Sequence, residues 1–102
     1  MQFQIVPASE VSLGEQAEVA NAAFAGYVGG WADMNAAALT RFLMLQGTDL
    51  FLSRFVRTSN GPVGFAYLNR TRDILRLSGM AIVPSARGTG AAQHLLDHVI
   101  AE

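Results

Sequence analysis

Polar and apolar residues alternate from Gln2 to Val6 and the alternation stops at Pro7, which predicts a short strand. Ser12-Leu-Gly-Glu15 has the spacing of a capping box, a serine followed three residues later by a glutamate. Beyond it Leu13, Ala17, Ala20, Phe24 and Tyr27 recur at helical spacing and make one apolar face, which Gly29-Gly30 would close. Trp31 to Asn35 reads as a loop. Asn35 suits the N-cap of a second helix, Met34 can staple against Leu39, and Leu39, Phe42 and Leu43 supply its apolar stripe. Gly47 ends it, as glycine commonly ends helices. The two helices are in series, with no strand pattern between them.

The middle of the chain has strand character. Leu50 to Thr58 is rich in Phe, Leu and Val, Ser59-Asn60-Gly61 is a turn, and Val63 to Leu68 is a second strand. Asn69 to Asp73 is polar and turns, and a long run from Ile74 to Val83 follows. Connections this short make the three strands antiparallel neighbours. Ala91, Ala92, Leu95, Leu96, Val99 and Ile100 then repeat at helical spacing, with Gln93, His94, Asp97 and His98 on the opposite face. The predicted order is β-α-α-β-β-β-α, an α/β (α+β) fold with a mainly antiparallel sheet.

Composition narrows what such a fold can be. The chain has 102 residues, enough for one small domain with a thin core. It is 51% apolar and only 15% charged, against about 25% charged in ordinary soluble domains. Either some face is buried against something else, or part of the fold is missing. The net charge of −1 and the lack of a basic cluster argue against a nucleic-acid partner, which needs positive charge to neutralise phosphates. Without cysteine there are no disulfides and no thiolate metal sites, in keeping with the cytoplasm. The amino end has no basic run before a long apolar stretch, so no signal peptide is expected. No run of about 18 apolar residues exists to span a membrane.

The distinctive chemistry lies in Val83-Pro-Ser-Ala-Arg87-Gly88-Thr89-Gly90-Ala91-Ala92. A strand ends at a proline, two glycines follow one residue apart, and a helix begins at once. Glycines let the backbone take conformations that a Cβ forbids and let a ligand come close. The helix start offers unpaired N–H groups and the positive end of the helix dipole, a site for an anion such as phosphate, with Arg87 at its edge. The other reading is a strand-to-helix turn whose glycines serve geometry alone. A Walker loop is excluded because no lysine follows the glycines. A dinucleotide fingerprint fits badly, since Gln93 stands where the third glycine belongs and the preceding strand comes from an antiparallel hairpin.

Arg87-Gly88-Thr89-Gly90-Ala91-Ala92 resembles the R/Q-x-x-G-x-G/A motif of the GNAT superfamily of N-acetyltransferases. Met80-Ala-Ile-Val-Pro84 is similar to the strand that precedes the motif there, and Asn21 to Tyr27 is similar to the first helix. The resemblance covers the whole chain. It implies acetyl-coenzyme A as acyl donor, with the N–H groups of Gly88, Thr89, Gly90, Ala91 and Ala92 around the pyrophosphate and Arg87 beside them. It further implies that main-chain groups of Met80, Ala81 and Ile82 pair with the pantetheine arm as an added strand would. Gly79 within that strand marks a bulge or a close backbone approach. The implied reaction is acetyl transfer to a primary amine, on a small molecule, a protein N-terminus or a lysine, with strand groups near Met80 stabilising the oxyanion. A non-catalytic half-domain that binds coenzyme A or assembles with itself is the alternative.

The pattern departs from the family at its end. There a further strand and helix follow the motif helix, whereas this sequence stops at Glu102 inside a helical pattern. The reading is therefore a single domain over residues 1–102 that lacks the C-terminal strand-helix part. Ile74 to Val83 becomes an apolar edge, which a second copy or the missing half would cover. No catalytic residue is assigned, since the strand from Ile74 to Val83 contains no acid. Tyr27, Trp31 and Asp33 lie where the family lines its acceptor site, although Tyr27 also falls on the core stripe. Ser78 either points into the cleft or satisfies a local hydrogen bond. His94, Asp97 and His98 have a spacing close to a zinc pattern but no third ligand, and a solvated helix face is the expected role.

Overall fold

A computed structural model describes residues 2–25 and 33–101. The strands are β1 (Gln4–Pro7), β2 (Arg54–Thr58), β3 (Gly61–Thr71) and β4 (Ile74–Ile82), and the helices α1 (Leu13–Phe24), α2 (Ala36–Gln46) and α3 (Ala91–Ala101). The strands form one antiparallel sheet in the order β1-β2-β3-β4, so the predicted element order and antiparallel pairing are both present.

The sheet is the middle of three layers. Phe55, Phe65 and Tyr67 face α1 and α2, where they pack with Ala17, Ala20 and Leu39. Val56, Ala66 and Ile82 face the other way, against Ala91 and Leu95 of α3. The run Gly64-Phe-Ala-Tyr-Leu68 is buried on both faces, which explains why it is continuously apolar rather than alternating. Its rings form a cluster: Phe65 and Tyr67 have centroids 4.5 Å apart and Phe55 meets Tyr67 edge-on at 5.9 Å. Such aromatic pairs add about 0.5–1.5 kcal/mol beyond the area they bury.

The helix ends follow local chemistry. Ser12 Oγ accepts from the Glu15 N–H at 3.2 Å and donates to the Glu15 carboxylate at 3.1 Å. Asn35 Oδ1 accepts from the Ala38 N–H at 2.8 Å. Gly47 stands in the left-handed region at φ 67°, and the next N–H, that of Thr48, returns to the Leu43 carbonyl at 3.0 Å. Helix α1 ends at Phe24 in the described residues; Tyr27, Gly29, Gly30 and Trp31 lie outside them.

Three expectations change. The segment from Leu50 is not strand until Arg54, because Asp49 Oδ1 accepts from the Phe51 and Leu52 N–H groups and folds the chain into a turn. Strand β3 runs to Thr71, beyond Leu68, since all of Asn69, Arg70 and Thr71 pair with β4 and the reversal needs only Arg72 and Asp73. Phe42 and Ile100, read as core positions, are 41% and 73% exposed. Each lies at the margin of its helix's apolar stripe, which helical spacing alone does not resolve.

Candidate functional site

The turn after β4 is built in steps. The Val83 N–H donates to the Val63 carbonyl at 2.8 Å and closes the sheet. Pro84–Ala86 make one turn of 3-10 helix, and buried Ala86 anchors it against α3. Gly88 and Gly90 then take φ values of 79° and 95°, both in the region that favours glycine. A Cβ at either position would meet no atom within 4 Å, so space lies directly against this backbone. The hydroxyl of exposed Thr89 donates back to the Ala86 carbonyl. The first bond of α3 runs from the His94 N–H to the Gly90 carbonyl at 3.0 Å. The N–H groups of Ala91, Ala92 and Gln93 therefore have no carbonyl within the helix to receive them. Local positive potential, donors and room for a ligand coincide here, which fits a diphosphate.

Arg87 does something that its position in the sequence did not reveal. Its Nε donates to the Ile82 carbonyl at 3.0 Å and an Nη to the Ala23 carbonyl at 2.8 Å. Ala23 lies in the last turn of α1, where carbonyls lack helical donors and a cation is favoured. The guanidinium thus ties the glycine turn to the end of β4 and to the C-terminus of α1.

Strand β4 has β3 on one side and no described strand on the other. Met80, Ala81 and Ile82 stand opposite Ala66, Phe65 and Gly64. Their side chains go into the two core layers, so what they offer at the outer edge is main chain. Just before them the register shifts. Tyr67 opposes Gly79 and Leu68 opposes Leu77, leaving Ser78 as an extra residue in a β-bulge. The bulge predicted at Gly79 is present one residue away. The Ser78 hydroxyl donates to the Tyr67 carbonyl at 3.1 Å.

Beside the bulge, between the sheet and helices α1 and α2, is a cavity of about 160 Å³. Phe24, Met34, Leu39, Phe42, Phe65 and Tyr67 supply most of its wall, and Ala20, Thr48, Ser78 and Gly79 complete it. Sequence reasoning missed it. It also missed the pair that holds Tyr67. Gln16 is wholly buried, and its amide donates to the Ala8 and Val11 carbonyls at 3.0 and 2.9 Å. Its Oε1 accepts from the Tyr67 hydroxyl at 2.7 Å. Burial pushes the Tyr67 phenol well above its ordinary pKa, so the ring stays neutral. A glutamine beside the apolar stripe of α1 was the only trace of this in the sequence.

Of the residues expected to line an acceptor site, Tyr27 and Trp31 fall outside the described residues and Asp33 is exposed. Asp97 accepts from the Gln93 amide at 2.7 Å, and the His94 ring lies 5.8 Å from that of Phe3.

Comparison with known proteins agrees with the fold. The model of the acetyltransferase (GNAT) family matches residues 17–102. No curated protein sequence matches the chain. Among solved structures, the ribosomal-protein-S18-alanine N-acetyltransferase from Escherichia coli superposes with a TM-score of 0.71 at 16% identity, covering 98% of this chain and 58% of its own. A GNAT family acetyltransferase from Brucella melitensis in complex with acetyl-CoA gives 0.74 at 14% identity, covering 98% and 67%. An N-acetyltransferase from Staphylococcus aureus Mu50 gives 0.67 at 18% identity, covering 99% and 66%. The chain thus spans about three fifths to two thirds of the length of these proteins, and the likeness is one of fold.

Proposed function

The chain belongs to the acetyltransferase (GNAT) family, and from that premise we propose that it binds acetyl-coenzyme A at the glycine turn and β4 for transfer of the acetyl group to a primary amine. The observation that carries this reading is the turn itself. Gly88 and Gly90 hold positive φ with open space against them, immediately before a helix whose first N–H groups are unused by the helix.

Acetyl-coenzyme A, when bound, would supply a thioester at whose carbonyl carbon the C–N bond forms as the C–S bond breaks, the proton lost by the amine balancing the one that the departing thiolate takes up to give an amide and free coenzyme A. The chain's part is to bind and orient. The N–H groups at the start of α3 and the Gly88–Gly90 backbone receive the pyrophosphate. Arg87 keeps that backbone in place through Ile82 and Ala23. The outer main-chain groups of Met80, Ala81 and Ile82 receive the pantetheine arm as a sheet edge receives a strand. An N–H of β4 near Met80 is suited to the oxyanion, because fixed dipoles there need no reorganisation.

The outer edge of β4 forms a second part of the proposal. Ile74, Leu75 and Leu77 on this strand are exposed, Ile74 at 63%, and an apolar edge of this kind pairs readily. A further strand, from a second copy or from a C-terminal strand-helix part, would cover it; a stable dilute monomer in sedimentation weighs against the second copy. No described helix is long and apolar enough to cross a membrane, and the cysteine-free composition is in keeping with a cytoplasmic protein.

Thermal melting with acetyl-coenzyme A tests the donor site. Ligand at 100 times its Kd stabilises by about 2.7 kcal/mol, a shift of several degrees for a domain this size. Gly90→Glu should abolish the shift by placing a carboxylate where the phosphate would lie. Gly90→Ala is the control, since it carries the same backbone strain without the charge. No shift with the wild-type chain overturns the reading. Binding without thiol release from any amine leaves a coenzyme-A-binding module instead.

A further inference from the structure

The cavity beside the β4 bulge is created by a missing side chain. Gly79 stands opposite Tyr67 in the sheet, and residues directly opposite share a face. A Cβ on Gly79 would therefore point with the Tyr67 ring toward α1 and α2, into the cavity. It would meet no atom within 4 Å. Gly79 is not among the glycines with positive φ, so its backbone does not demand glycine. What the residue contributes is room, at the point where β4 bulges and where the acetyl thioester would lie.

The cavity's size and chemistry restrict what enters. Its volume is about 160 Å³, and an engineered cavity of about 150 Å³ lined by aliphatic and aromatic side chains holds one benzene ring. Phe24, Leu39, Phe42 and Phe65 make the wall apolar. No acidic side chain is among the described residues that line it. The Tyr67 hydroxyl is engaged by Gln16 and that of Ser78 by the Tyr67 carbonyl. Thr48 adds one uncharged hydroxyl, buried and without a hydrogen-bond partner. A second ammonium group would lose its water here and find no carboxylate, whereas a ring or branched alkyl group would gain by leaving water. Phe42, one of its lining residues, is itself exposed.

We propose that the cavity holds the non-reacting group of the acceptor, and that the acceptor is a monoamine carrying one compact apolar group of about phenyl size. The amine nitrogen then sits at the mouth beside Ser78 and Gly79. Polyamines and other polycations are excluded. The inference rests on the acetyl-transfer reading for what the amine is used for, but binding in the cavity is measurable without the donor.

Amide NMR titration of the full chain, without acetyl-coenzyme A, tests it. 2-Phenylethylamine and 3-methylbutylamine should shift the amides of Ala20, Phe65 and Gly79 with a Kd at least tenfold below that of putrescine or spermidine, the low end of what a methylene or two discriminates in an apolar site. Gly79→Leu fills the cavity from the sheet and Ala20→Leu from α1, and each should abolish those shifts. A melting curve of each variant identifies one that fails to fold, and the wild-type titration stands by itself. Equal binding of putrescine overturns the proposal, as do shifts that map elsewhere or that survive in a folded, filled variant. Shifts at these amides with butyryl-coenzyme A but with neither monoamine also overturn it, assigning the cavity to the acyl group. The melting shift with acetyl-coenzyme A is read separately at the glycine turn, so loss of the donor reading and loss of the cavity proposal are told apart.

Discussion

Replacing Tyr67 by phenylalanine removes a single oxygen atom, and its cost follows from what that atom holds. The Tyr67 hydroxyl donates to Gln16 Oε1 at 2.7 Å, and Gln16 is 0% exposed. Water cannot take the place of the lost donor, so the glutamine oxygen is left buried and unpaired. That penalty is about 1–3 kcal/mol. For a domain near this length each kcal/mol moves Tm by about 4–8 °C, so Tyr67→Phe should melt on the order of 10 °C lower. Gln16→Met should cost more, because it also strands the Val11 carbonyl, while the Ala8 carbonyl keeps the Val11 N–H. In the Gln16→Met background, however, Tyr67→Phe should cost almost nothing, since the hydroxyl there has already lost its acceptor. Urea unfolding of all four proteins gives the coupling, expected at about 1–3 kcal/mol, nearly the whole cost of Tyr67→Phe in the wild type. Additive effects, or a Tyr67→Phe variant as stable as the wild type, would refute the account of this pair.

The same tyrosine predicts alkaline behaviour. Its phenol is raised above its ordinary pKa of about 10 by burial, so the unfolded chain releases this proton first as pH rises. The stability this confers is whole below pH of about 10 and lost above it, and Tyr67→Phe should flatten that part of the stability profile. Gly64→Ala should destabilise by about 3 kcal/mol, the upper end for overpacking. Its Cβ would overlap Ile82 Cδ1 and stand 2.9 Å from the Ala81 carbonyl, and a backbone atom of a paired strand cannot move aside; an unchanged urea midpoint would contradict the close β2-β3-β4 packing. Thr48→Val should raise stability by about 1 kcal/mol, since it replaces a buried hydroxyl that has no partner with a methyl group. Calorimetry reads the gain, and a loss would mean that the hydroxyl is satisfied in solution.

The sequence by itself determined whatever is encoded within a few residues. Ser12 and Asn35 start helices because their side chains cap N–H groups three residues on, and Gly47 ends one because it tolerates left-handed backbone. The three hairpin strands and the Arg87–Ala92 turn were legible for the same reason, as the glycines, polar turns and apolar runs that make them are contiguous. Tertiary structure decided what joins distant segments. Whether Leu50–Leu52 pair or turn depended on how Asp49 met its neighbours. Arg87 reads in sequence as charge beside a phosphate turn, yet its position is set by carbonyls of α1 and β4. Gln16 and Tyr67 are 51 positions apart, and no periodicity links them. The cavity is the clearest case. A glycine in a strand suggests many roles, and only the register that sets Gly79 opposite Tyr67 turns its missing side chain into space, because registry between strands is fixed by packing across the whole sheet and not by either strand alone.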